Sequence, residues 1–482
     1  MTDVQSVFQR GLDAPVSGPH RRGSARVAVI GAGAAGICAA KYLLAAGFDV
    51  TVFELGSRVG GMWWYGNDSG RSSAYRTLHI NTSRGVTRFS DLDFDDATQP
   101  FPDHYDMHRY LEAYADHFAV TPRIRFRTRV TALRPALVPG AFVPGAFVPG
   151  AFVPGALAAG AGAPAWDLTT DPGGTERFDA VIVATGHLSA PLDVPMFAAF
   201  GGEYLHSHHY REPEPYVGKR VCVIGVGNSA CDIASDLCVT SARTVLVARS
   251  GAIILPKLMF GRAFTDITAK IQRPWIPRAI RQRITRFLAW LAHGDITKLG
   301  FKPPAELVHT TSNATVVTDI AYRRIAVKQG IEAVEGRRIR FSDGTVEEFD
   351  TLIAATGYRI DLDFIPPEIV PATDNRLDLW LRIVPPGWPG LFFMGFFNTD
   401  TALNMVFEHQ ARFVREILLG NAAPPSPETM RQAVAARAAW YASRFKHTPR
   451  HTIEEEHVRY LNDLRRATKE MVGRARRLPA AA

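Results

Sequence analysis

The chain has 482 residues, of which 46% are hydrophobic and 21% are charged, and its formal net charge is +8. These values are typical of a soluble globular protein long enough for two or three domains. No apolar run reaches the roughly 18 residues of a membrane-spanning helix, the N-terminus lacks the apolar core of a signal peptide, and the modest charge predicts no nucleic-acid partner.

Four cysteines are present: Cys38, Cys222, Cys231 and Cys238. No CxxC pair occurs. Cys231 and Cys238 share a predicted helix face, but the helical rise separates them by about 10 Å, which is too far for a disulfide. We therefore expect a reduced, cytoplasmic protein.

The first βαβ unit follows an N-terminal segment, residues 1–24, that we expect to be disordered. The stretch "RVAVIGAGAAGICAA" at 26–40 is a strand, a glycine-rich turn and a helix start, and "DVTVFE" is the next strand. Gly31, Gly33 and Gly36 form GxGxxG, which places a pyrophosphate at the N-terminus of a helix. Glu54 ends the second strand, where a carboxylate accepts hydrogen bonds from a ribose diol. The unit suits a dinucleotide with a free diol, such as FAD.

A repeated VPGAF unit occupies residues 138–163, between the predicted hairpin strands "IRFRTRVTALR" and "AWDLTTD". Proline removes a backbone donor and glycine adds chain entropy, so neither helix nor strand is favoured inside it. We expect a mobile loop without a catalytic role. The alternative is an interaction arm, because the repeat carries phenylalanines.

A second strand–turn–helix unit, "RVCVIGVGNSACDIA", begins at residue 220. Its turn holds Gly225 and Gly227, with Ala230 in the third position. Arg249 stands at the end of the following strand, where an acid would suit a plain ribose. A guanidinium suits a 2′-phosphate, so this unit predicts NADPH.

The order of these units predicts the architecture, an α/β fold of two nested Rossmann-like dinucleotide-binding domains. The first is discontinuous, the second is inserted whole, and the chain then returns to complete the first. The expected ranges are 1–24 (disordered), 25–205 (FAD domain, first part), 206–339 (NADPH domain), 340–425 (FAD domain, second part) and 426–482 (helical tail).

The stretch "IPRAIRQRITRFLAWLAH" at 276–293 has a basic amphipathic pattern. Such a helix either packs its apolar side on the core or lies on a membrane surface. We expect a core-facing helix with a solvated arginine face.

The most specific motif is "FGGEYLHSHHY" at 200–210, in which Phe200, Gly202, His206 and Tyr210 fit the pattern FxGxxxHxxxY. This pattern is the fingerprint of the flavin-containing monooxygenases, and the chain resembles their soluble bacterial branch over roughly residues 25–420. The sister family, the Baeyer–Villiger monooxygenases, ends the pattern in Trp. Further segments that resemble the family are "GVGNSACDIA", "LIAATGY", "GGMWW", "LHINTSRGVTRFSD" and "FEHQARF".

The resemblance implies roles for individual residues. It implies catalytic roles for Asn81, beside the flavin, and for Tyr210, whereas His206 is expected to be structural. Cofactor-binding roles are implied for Gly31, Gly33, Gly36, Glu54, Gly61, Trp63, Gly225, Gly227, Asn228, Ser229, Arg249, Ser250, Thr356 and Gln410. No metal site is expected, because "SHH" at 207–209 has no carboxylate or cysteine nearby in sequence.

The implied activity is that of an NADPH- and O₂-dependent flavoprotein monooxygenase. In the family, NADPH reduces FAD, O₂ adds to form a C4a-hydroperoxyflavin, and its distal oxygen passes to a soft nucleophile, an amine nitrogen or a sulfur. Such a site must exclude water and donate hydrogen bonds. The partner is a small-molecule nucleophile, and a homodimer is left open.

Two alternatives remain open from the sequence. One is a Baeyer–Villiger enzyme acting on ketones, against which Tyr210 argues. The other is an uncoupled NADPH oxidase or an NADPH-binding redox sensor, because leakage of peroxide depends on packing that the sequence does not display.

Overall fold

The computed structural model describes residues 25–136, 165–304, 310–443 and 451–477. The segment 1–24 and the VPGAF repeat at 138–163, for which the sequence predicts disorder and mobility, lie outside these residues. The helices of the described chain are α1 (Ala34–Leu44), α2 (Arg84–Thr87), α3 (His104–His117), α4 (Asn228–Leu237), α5 (Phe264–Ala269), α6 (Arg278–His293), α7 (Val316–Ala321), α8 (Asn404–Leu418), α9 (Pro427–Ala442) and α10 (His457–Ala475).

The first large sheet is parallel, and its short apolar strands are covered on both faces, as parallel sheets generally are. Its strands in spatial order are Leu391–Phe393, Ala180–Val183, Arg26–Ile30, Asp49–Phe53 and Ile124–Arg125. Helices α1 and α8 pack together on one face, where Ile37 and Val414 are fully buried. The predicted first βαβ unit is therefore present.

The second large sheet is also parallel and has five strands. Their spatial order is Ile325–Lys328, Arg243–Val247, Arg220–Ile224, Thr351–Ala354 and Glu203–His206. Helix α4 packs on this sheet and buries Ile233 and Leu237. Two Rossmann-like units are thus formed, as the two glycine turns predict.

The nested order is confirmed, because Leu391–Phe393 joins the first sheet only after the second sheet is complete. The second sheet nevertheless extends beyond the expected range 206–339. It takes Glu203–His206 at one end and Thr351–Ala354 at the other. The reason is that Thr351–Ala354, the strand of "FDTLIAATGY", pairs with Arg220–Ile224, so the chain leaves the second unit only after residue 354.

The chain crosses between the two sheets twice, and the two crossings pair with each other. Ala190–Pro191, on the way into the second unit, runs antiparallel to Tyr358–Arg359, on the way out. The Leu192 amide also donates to the Gly357 carbonyl at 3.0 Å. We call this pair of segments the connecting ribbon.

The remaining strands form smaller sheets. Two three-stranded antiparallel sheets consist of Arg129–Pro135, Trp166–Asp171 and Gly174–Phe178, and of Ile331–Glu335, Arg338–Phe341 and Val346–Glu348; two-stranded pairs are Ile253–Leu255 with Thr310–Ser312, Leu258–Met259 with Arg262–Ala263, Ala372–Thr373 with Arg376–Leu377, and Asn398–Thr399 with Glu454–Glu455. The predicted hairpin around the repeat is confirmed, since Arg129–Pro135 pairs antiparallel with Trp166–Asp171.

The expectation that helix α6 packs its apolar side on the core is wrong. Its apolar side does not pack on the core: Phe287, Trp290 and Leu291 are 58%, 56% and 51% exposed. Instead Arg281 is buried, because its guanidinium pairs with the Glu456 carboxylate. Within the described ranges, no helix combines the length and the apolar character needed to cross a bilayer.

Candidate functional site

A cavity of about 560 Å³ lies where the two glycine turns approach each other. The sequence-predicted residues that line it are Gly31, Gly33, Glu54, Gly61, Trp63, Asn81, Asn228 and Ser229. They come from both units of the fold, so the cavity brings the two predicted dinucleotide sites together. Such a position outside the carboxyl ends of parallel strands is where open α/β sheets bind ligands.

The first glycine turn has no space for side chains at Gly31 and Gly36. Gly31 has φ +103°, and a Cβ there would lie 2.7 Å from the Ala184 carbonyl oxygen. A Cβ at Gly36 would lie 1.9 Å from the Gly31 carbonyl oxygen. Helix α1 begins after Gly33 without a side-chain cap, so its first backbone N–H groups have no cap acceptor and can receive phosphate oxygens.

The Gly61–Trp63 turn lies against the same loop. Gly61 has φ +57°, and a Cβ there would lie 3.1 Å from the Gly33 Cα. Two backbones thus approach closely, and Trp63 at the end of this turn lines the cavity.

Glu54 is buried at the end of its strand, as predicted, and faces the cavity. Its two carboxylate oxygens accept hydrogen bonds from the backbone amides of Ala32 and Gly56, both at 2.7 Å. Burial raises the pKa of this carboxyl, and the two amide donors oppose the rise. Each oxygen keeps a further lone pair, so the carboxylate can still accept from a ribose hydroxyl.

The second turn repeats the construction of the first. Gly225 has φ +125°, and a Cβ there would lie 2.6 Å from the Ala355 carbonyl oxygen. Ala230 is fully buried where the first turn has its third glycine. Helix α4 begins after Gly227, again without a side-chain cap. This turn therefore also presents uncapped N–H groups to an anion.

Half of the predicted cofactor-binding residues lie outside the cavity lining: Gly36, Gly225, Gly227, Arg249, Ser250, Thr356 and Gln410. Arg249 and Ser250 are exposed just after the strand Arg243–Val247, the position from which a guanidinium would meet a 2′-phosphate. Thr356 instead serves the connecting ribbon, where its hydroxyl donates to the Leu192 carbonyl at 2.6 Å.

Asn81 lines the cavity and is fixed by two partners. The Lys257 ammonium donates to the Asn81 side-chain oxygen at 2.9 Å, and the Ser312 hydroxyl donates to the Asn81 carbonyl at 3.4 Å. The Ser312 amide in turn donates to the Asn228 side-chain oxygen at 2.9 Å. Burial lowers the pKa of Lys257 to about 8. No motif in the sequence indicates a role for Lys257.

Asp232 is a second cavity residue that sequence reasoning missed. It accepts hydrogen bonds from the Tyr75 hydroxyl at 2.7 Å and the Asn313 amide at 2.6 Å, and burial raises its pKa. The sequence does contain an indication of this position: Asp232 follows Asn228 by four residues on α4, and residues four apart share a helix face.

Tyr210, predicted to be catalytic, does not line the cavity. It is fully buried, and its hydroxyl donates to Asp236 at 2.5 Å. Its ring packs against Tyr75 with the centroids 5.9 Å apart. Tyr210 is therefore connected to the cavity only indirectly, since its neighbour Tyr75 lines the cavity and donates to Asp232. His206 is likewise buried, and its Nδ1 accepts from the His208 amide at 3.1 Å.

The far wall of the cavity is the start of helix α8. Asn404 lines it, and its side-chain nitrogen is buried without a hydrogen-bond partner among the described residues. Gln410 lies behind the wall: its side-chain oxygen accepts from the Gly395 amide at 3.3 Å, and its nitrogen donates to the Tyr460 hydroxyl at 2.9 Å. Gln410 thus supports the wall without lining it.

These observations fit FAD at the first turn and NADPH at the second. Both turns are closed to side chains and leave helix N–H groups uncapped, and the buried Asn404 amide lacks the acceptor that a ligand would bring. Within the described residues, no group of His, Cys, Asp or Glu has the arrangement of a metal site.

Comparison with known proteins agrees with this reading. The family model described as "Flavin-binding monooxygenase-like" matches residues 24–137 and 158–473. The mouse protein named dimethylaniline monooxygenase [N-oxide-forming] 2 is 27% identical, with 91% of this chain and 82% of that protein covered.

Two solved structures share the fold. S-allyl-L-cysteine S-oxygenase from Allium sativum is 24% identical with a TM-score of 0.65, covering 94% of this chain and 93% of that one. Cyclohexanone monooxygenase from Rhodococcus sp. Phi1, bound to NADP⁺, is 18% identical with a TM-score of 0.62, covering 94% and 98%. With its family model matched over most of its length, the chain belongs to the flavin-binding monooxygenase-like family and is a monooxygenase that uses FAD, NADPH and O₂.

Proposed function

We propose that this monooxygenase oxygenates a soft nucleophilic atom, an amine nitrogen or a thioether sulfur, in a small molecule. The observation that carries the proposal is the Asn81 amide, held by Lys257 in the cavity that the first glycine turn lines together with Asn228 and Ser229, which follow the second turn. The names of a relative that forms N-oxides and of a neighbour that is an S-oxygenase support the two substrate classes.

The chain's own residues divide the work. The Gly31 turn with Glu54 would hold FAD, and the Gly225 turn with Arg249 would hold NADPH. When bound, FAD reduced by NADPH would activate O₂, so that one oxygen atom passes to the nucleophile and the other leaves as water. Because Lys257 occupies the Asn81 side-chain oxygen, the amide N–H₂ group is the part of Asn81 free to donate within the cavity.

A fixed neutral donor suits this chemistry. It stabilises developing negative charge without carrying a counter-charge that would favour proton transfer, and it costs no reorganisation. Tyr210 is assigned a positioning role, because its hydroxyl is committed to Asp236 and its ring supports Tyr75.

Baeyer–Villiger oxidation of a ketone is the second candidate, and uncoupled oxidase activity or redox sensing is the third. The fold does not separate them, since a cyclohexanone monooxygenase shares it. The distinction rests on the substrate, so the test is NADPH consumption with tertiary amines, thioethers and ketones, with product identification and peroxide assayed in parallel. N-oxide or S-oxide formation supports the proposal. Ester formation from the ketones, or peroxide equal to NADPH with every compound, contradicts it.

We also propose that the protein works in the cytoplasm. Cys38, Cys222 and Cys238 form no disulfide bond within the described residues, and a reducing compartment keeps thiols in this state. Fractionation of the native host, with the protein detected by antibody, tests this assignment. An oxidised or exported protein would contradict it.

A further inference from the structure

Oxygenation consumes a proton in addition to NADPH and O₂. One oxygen atom of O₂ enters the product and the other leaves as water, and the two hydrogens of that water are the hydride of NADPH and one proton from the surroundings. Baeyer–Villiger oxidation and the reduction of O₂ to peroxide consume the same proton. A group in the cavity that holds and releases a proton would therefore serve each of these reactions.

Among the described residues, the acidic side chains that line the cavity are Glu54, Asp232, Asp361, Asp363 and Asp400. Asp361 and Asp400 are each paired with a basic side chain, and Asp363 is exposed. Glu54 accepts hydrogen bonds from two backbone amides at the first turn. A carboxylate next to an opposite charge stays ionised, so the paired acids are unsuited to hold a proton near neutral pH.

The Asp232 carboxyl is held instead by two neutral donors. Its Oδ2 accepts from the Tyr75 hydroxyl at 2.7 Å and its Oδ1 from the Asn313 side-chain amide at 2.6 Å. Asn313 is fixed in this orientation, because its own side-chain oxygen accepts from the Thr315 and Val316 amides. Neutral partners leave both charge states of the carboxyl accessible, and each oxygen keeps a lone pair toward the cavity.

Titratable groups from three parts of the chain surround this carboxyl. Asp236 follows it by one turn on α4, Tyr75 and His79 belong to the segment before α2, and Lys257 lies beside Asn81. Burial raises the pKa of Asp232, and the Tyr75 hydrogen bond and the Lys257 charge oppose the rise. The site thus favours a protonated acid and also stabilises the carboxylate that remains when the proton leaves.

We propose that the Asp232 carboxyl donates the proton that each turnover consumes. The O–H bond of the acid breaks, the proton passes to the reduced oxygen in the cavity, and a proton from solvent restores the acid afterwards. The Asn81 amide lines the same cavity and donates a hydrogen bond without giving up a proton, so the two residues have different tasks. The proposal rests on the monooxygenase reaction and on no particular substrate.

A cofactor-binding role is the alternative for Asp232. A carboxylate one turn after Asn228 on α4 would then accept a hydrogen bond from NADPH and move no proton. Loss of such a contact weakens NADPH binding, whereas loss of a proton donor slows the oxygen step and leaves the affinity for NADPH unchanged. The experiment therefore measures the two separately.

The test variant is Asp232→Asn, whose side chain keeps both hydrogen bonds: its oxygen accepts from Asn313, and its nitrogen donates to the Tyr75 hydroxyl oxygen. With a compound that the wild type oxygenates, product formation should fall about a hundred-fold, the contribution of a general acid. The remaining rate should fall further as the pH rises, because the proton then comes from solvent. Flavin content and flavin reduction by NADPH should stay near the wild type, since hydride transfer needs no proton. Asp232→Glu, which keeps a carboxyl, should recover most of the lost rate.

A second measurement follows the proton itself. At about pH 6.5, where ordinary carboxyl groups are ionised, infrared spectra of the resting holoenzyme should contain a protonated-carboxyl band that Asp232→Asn lacks. The matched control is Asp319→Asn on α7, a buried acid that pairs with Arg324 and does not line the cavity; it should keep the wild-type rate and the carboxyl band. Three results would overturn the proposal: a wild-type rate and pH profile in Asp232→Asn, a loss confined to a higher KM for NADPH, or identical carboxyl bands in the two proteins.

Discussion

The Lys257 ammonium donates a hydrogen bond of 2.9 Å to the side-chain oxygen of Asn81 and a second, of 2.5 Å, to the Ile80 carbonyl. The lysine belongs to the second unit of the fold and the asparagine to the first, 176 positions away. One side chain thus spans the two units and orients the amide that the proposed chemistry uses. We therefore propose Lys257 as a positioning residue for Asn81.

Replacing Asn81 by Ala should separate NADPH consumption from oxygenation. Flavin content and the rate of flavin reduction by NADPH should stay near the wild type, because neither needs the amide. Loss of one preorganised donor costs about 3 kcal/mol, so oxygenated product per NADPH should fall and released peroxide should rise to match. Peroxide and product assays on the same reaction give the ratio. Normal coupling of NADPH consumption to oxygenation in this variant would show that Asn81 has only a structural role in its loop.

Lys257→Met should have the same phenotype in weaker form, because the Asn81 amide remains but is no longer held. Lys257→Arg, which keeps a donor, is the matched control and should retain most of the coupling. A purely structural role predicts instead that both variants lose flavin and melt at lower temperature, with unchanged coupling in the fraction that stays folded.

The Lys257 ammonium should also give stability a defined pH dependence. Burial lowers its pKa from 10.5 to about 8, while the nearby Asp232 carboxylate opposes the shift. Between these values the unfolded chain holds a proton that the folded chain has lost, so the free energy of unfolding rises with pH across this window. Between pH 8 and pH 10 the gain relative to Lys257→Met should be about 2 kcal/mol, because these two pH values cover only part of the shift. Denaturant titrations of both proteins at pH 8 and pH 10 measure it, and parallel curves would contradict the assignment.

Arg249→Ala should weaken NADPH selectively. A charge-assisted contact to the 2′-phosphate contributes about 1.5–3 kcal/mol, so the KM for NADPH should rise about ten- to a hundred-fold, with little change for NADH. Arg340→Ala, on an exposed position of the strand Arg338–Phe341, is the control. An equal loss with both cofactors would refute the 2′-phosphate contact.

Deletion of residues 139–155 should leave folding and activity intact. The flanking strands already meet, since Pro135 pairs with Trp166 and the Ala136 amide donates to the Ala165 carbonyl at 2.9 Å. Loop-closure entropy changes slowly with length, so the stability should change by about 1 kcal/mol or less. Thermal unfolding and flavin content provide the measurement. A marked loss of either would show that the repeat packs on the core.

Gly36→Ala should abolish flavin binding. The new methyl group would lie 1.9 Å from the Gly31 carbonyl oxygen, a backbone atom that is held in the first turn. Gly473→Ala in α10 is the control, because the nearest heavy atom there is the end of the Arg477 side chain, 3.9 Å away. The absorbance of bound flavin in the purified variants decides. A yellow Gly36→Ala protein would show that the turn can open.

The sequence predicts those structural features that depend on residues close together in the chain. The strand, turn and helix around Gly31, and the position of Glu54, follow from local sterics and hydrogen bonding. Lys257 could not be found in this way, because its meeting with Asn81 depends on how the two units pack. The predicted orientation of α6 is wrong for the same reason. The sequence pattern defines an apolar side and a basic side of the helix, but the pairing of Arg281 with Glu456, 175 positions away, decides which side is buried.

The connecting ribbon has a consequence for motion between the two units. A unit connected through one flexible strand can rotate in any direction. Two connecting strands that lie side by side and hydrogen-bond to each other restrict that rotation. Because Tyr358 pairs with Pro191 and Arg359 with Ala190, both segments would have to turn together in any rotation of one unit against the other. The hydrogen bonds from Lys257 to Asn81 and from Tyr75 to Asp232 join the same two units, so they would have to break or shift if the two glycine turns separated.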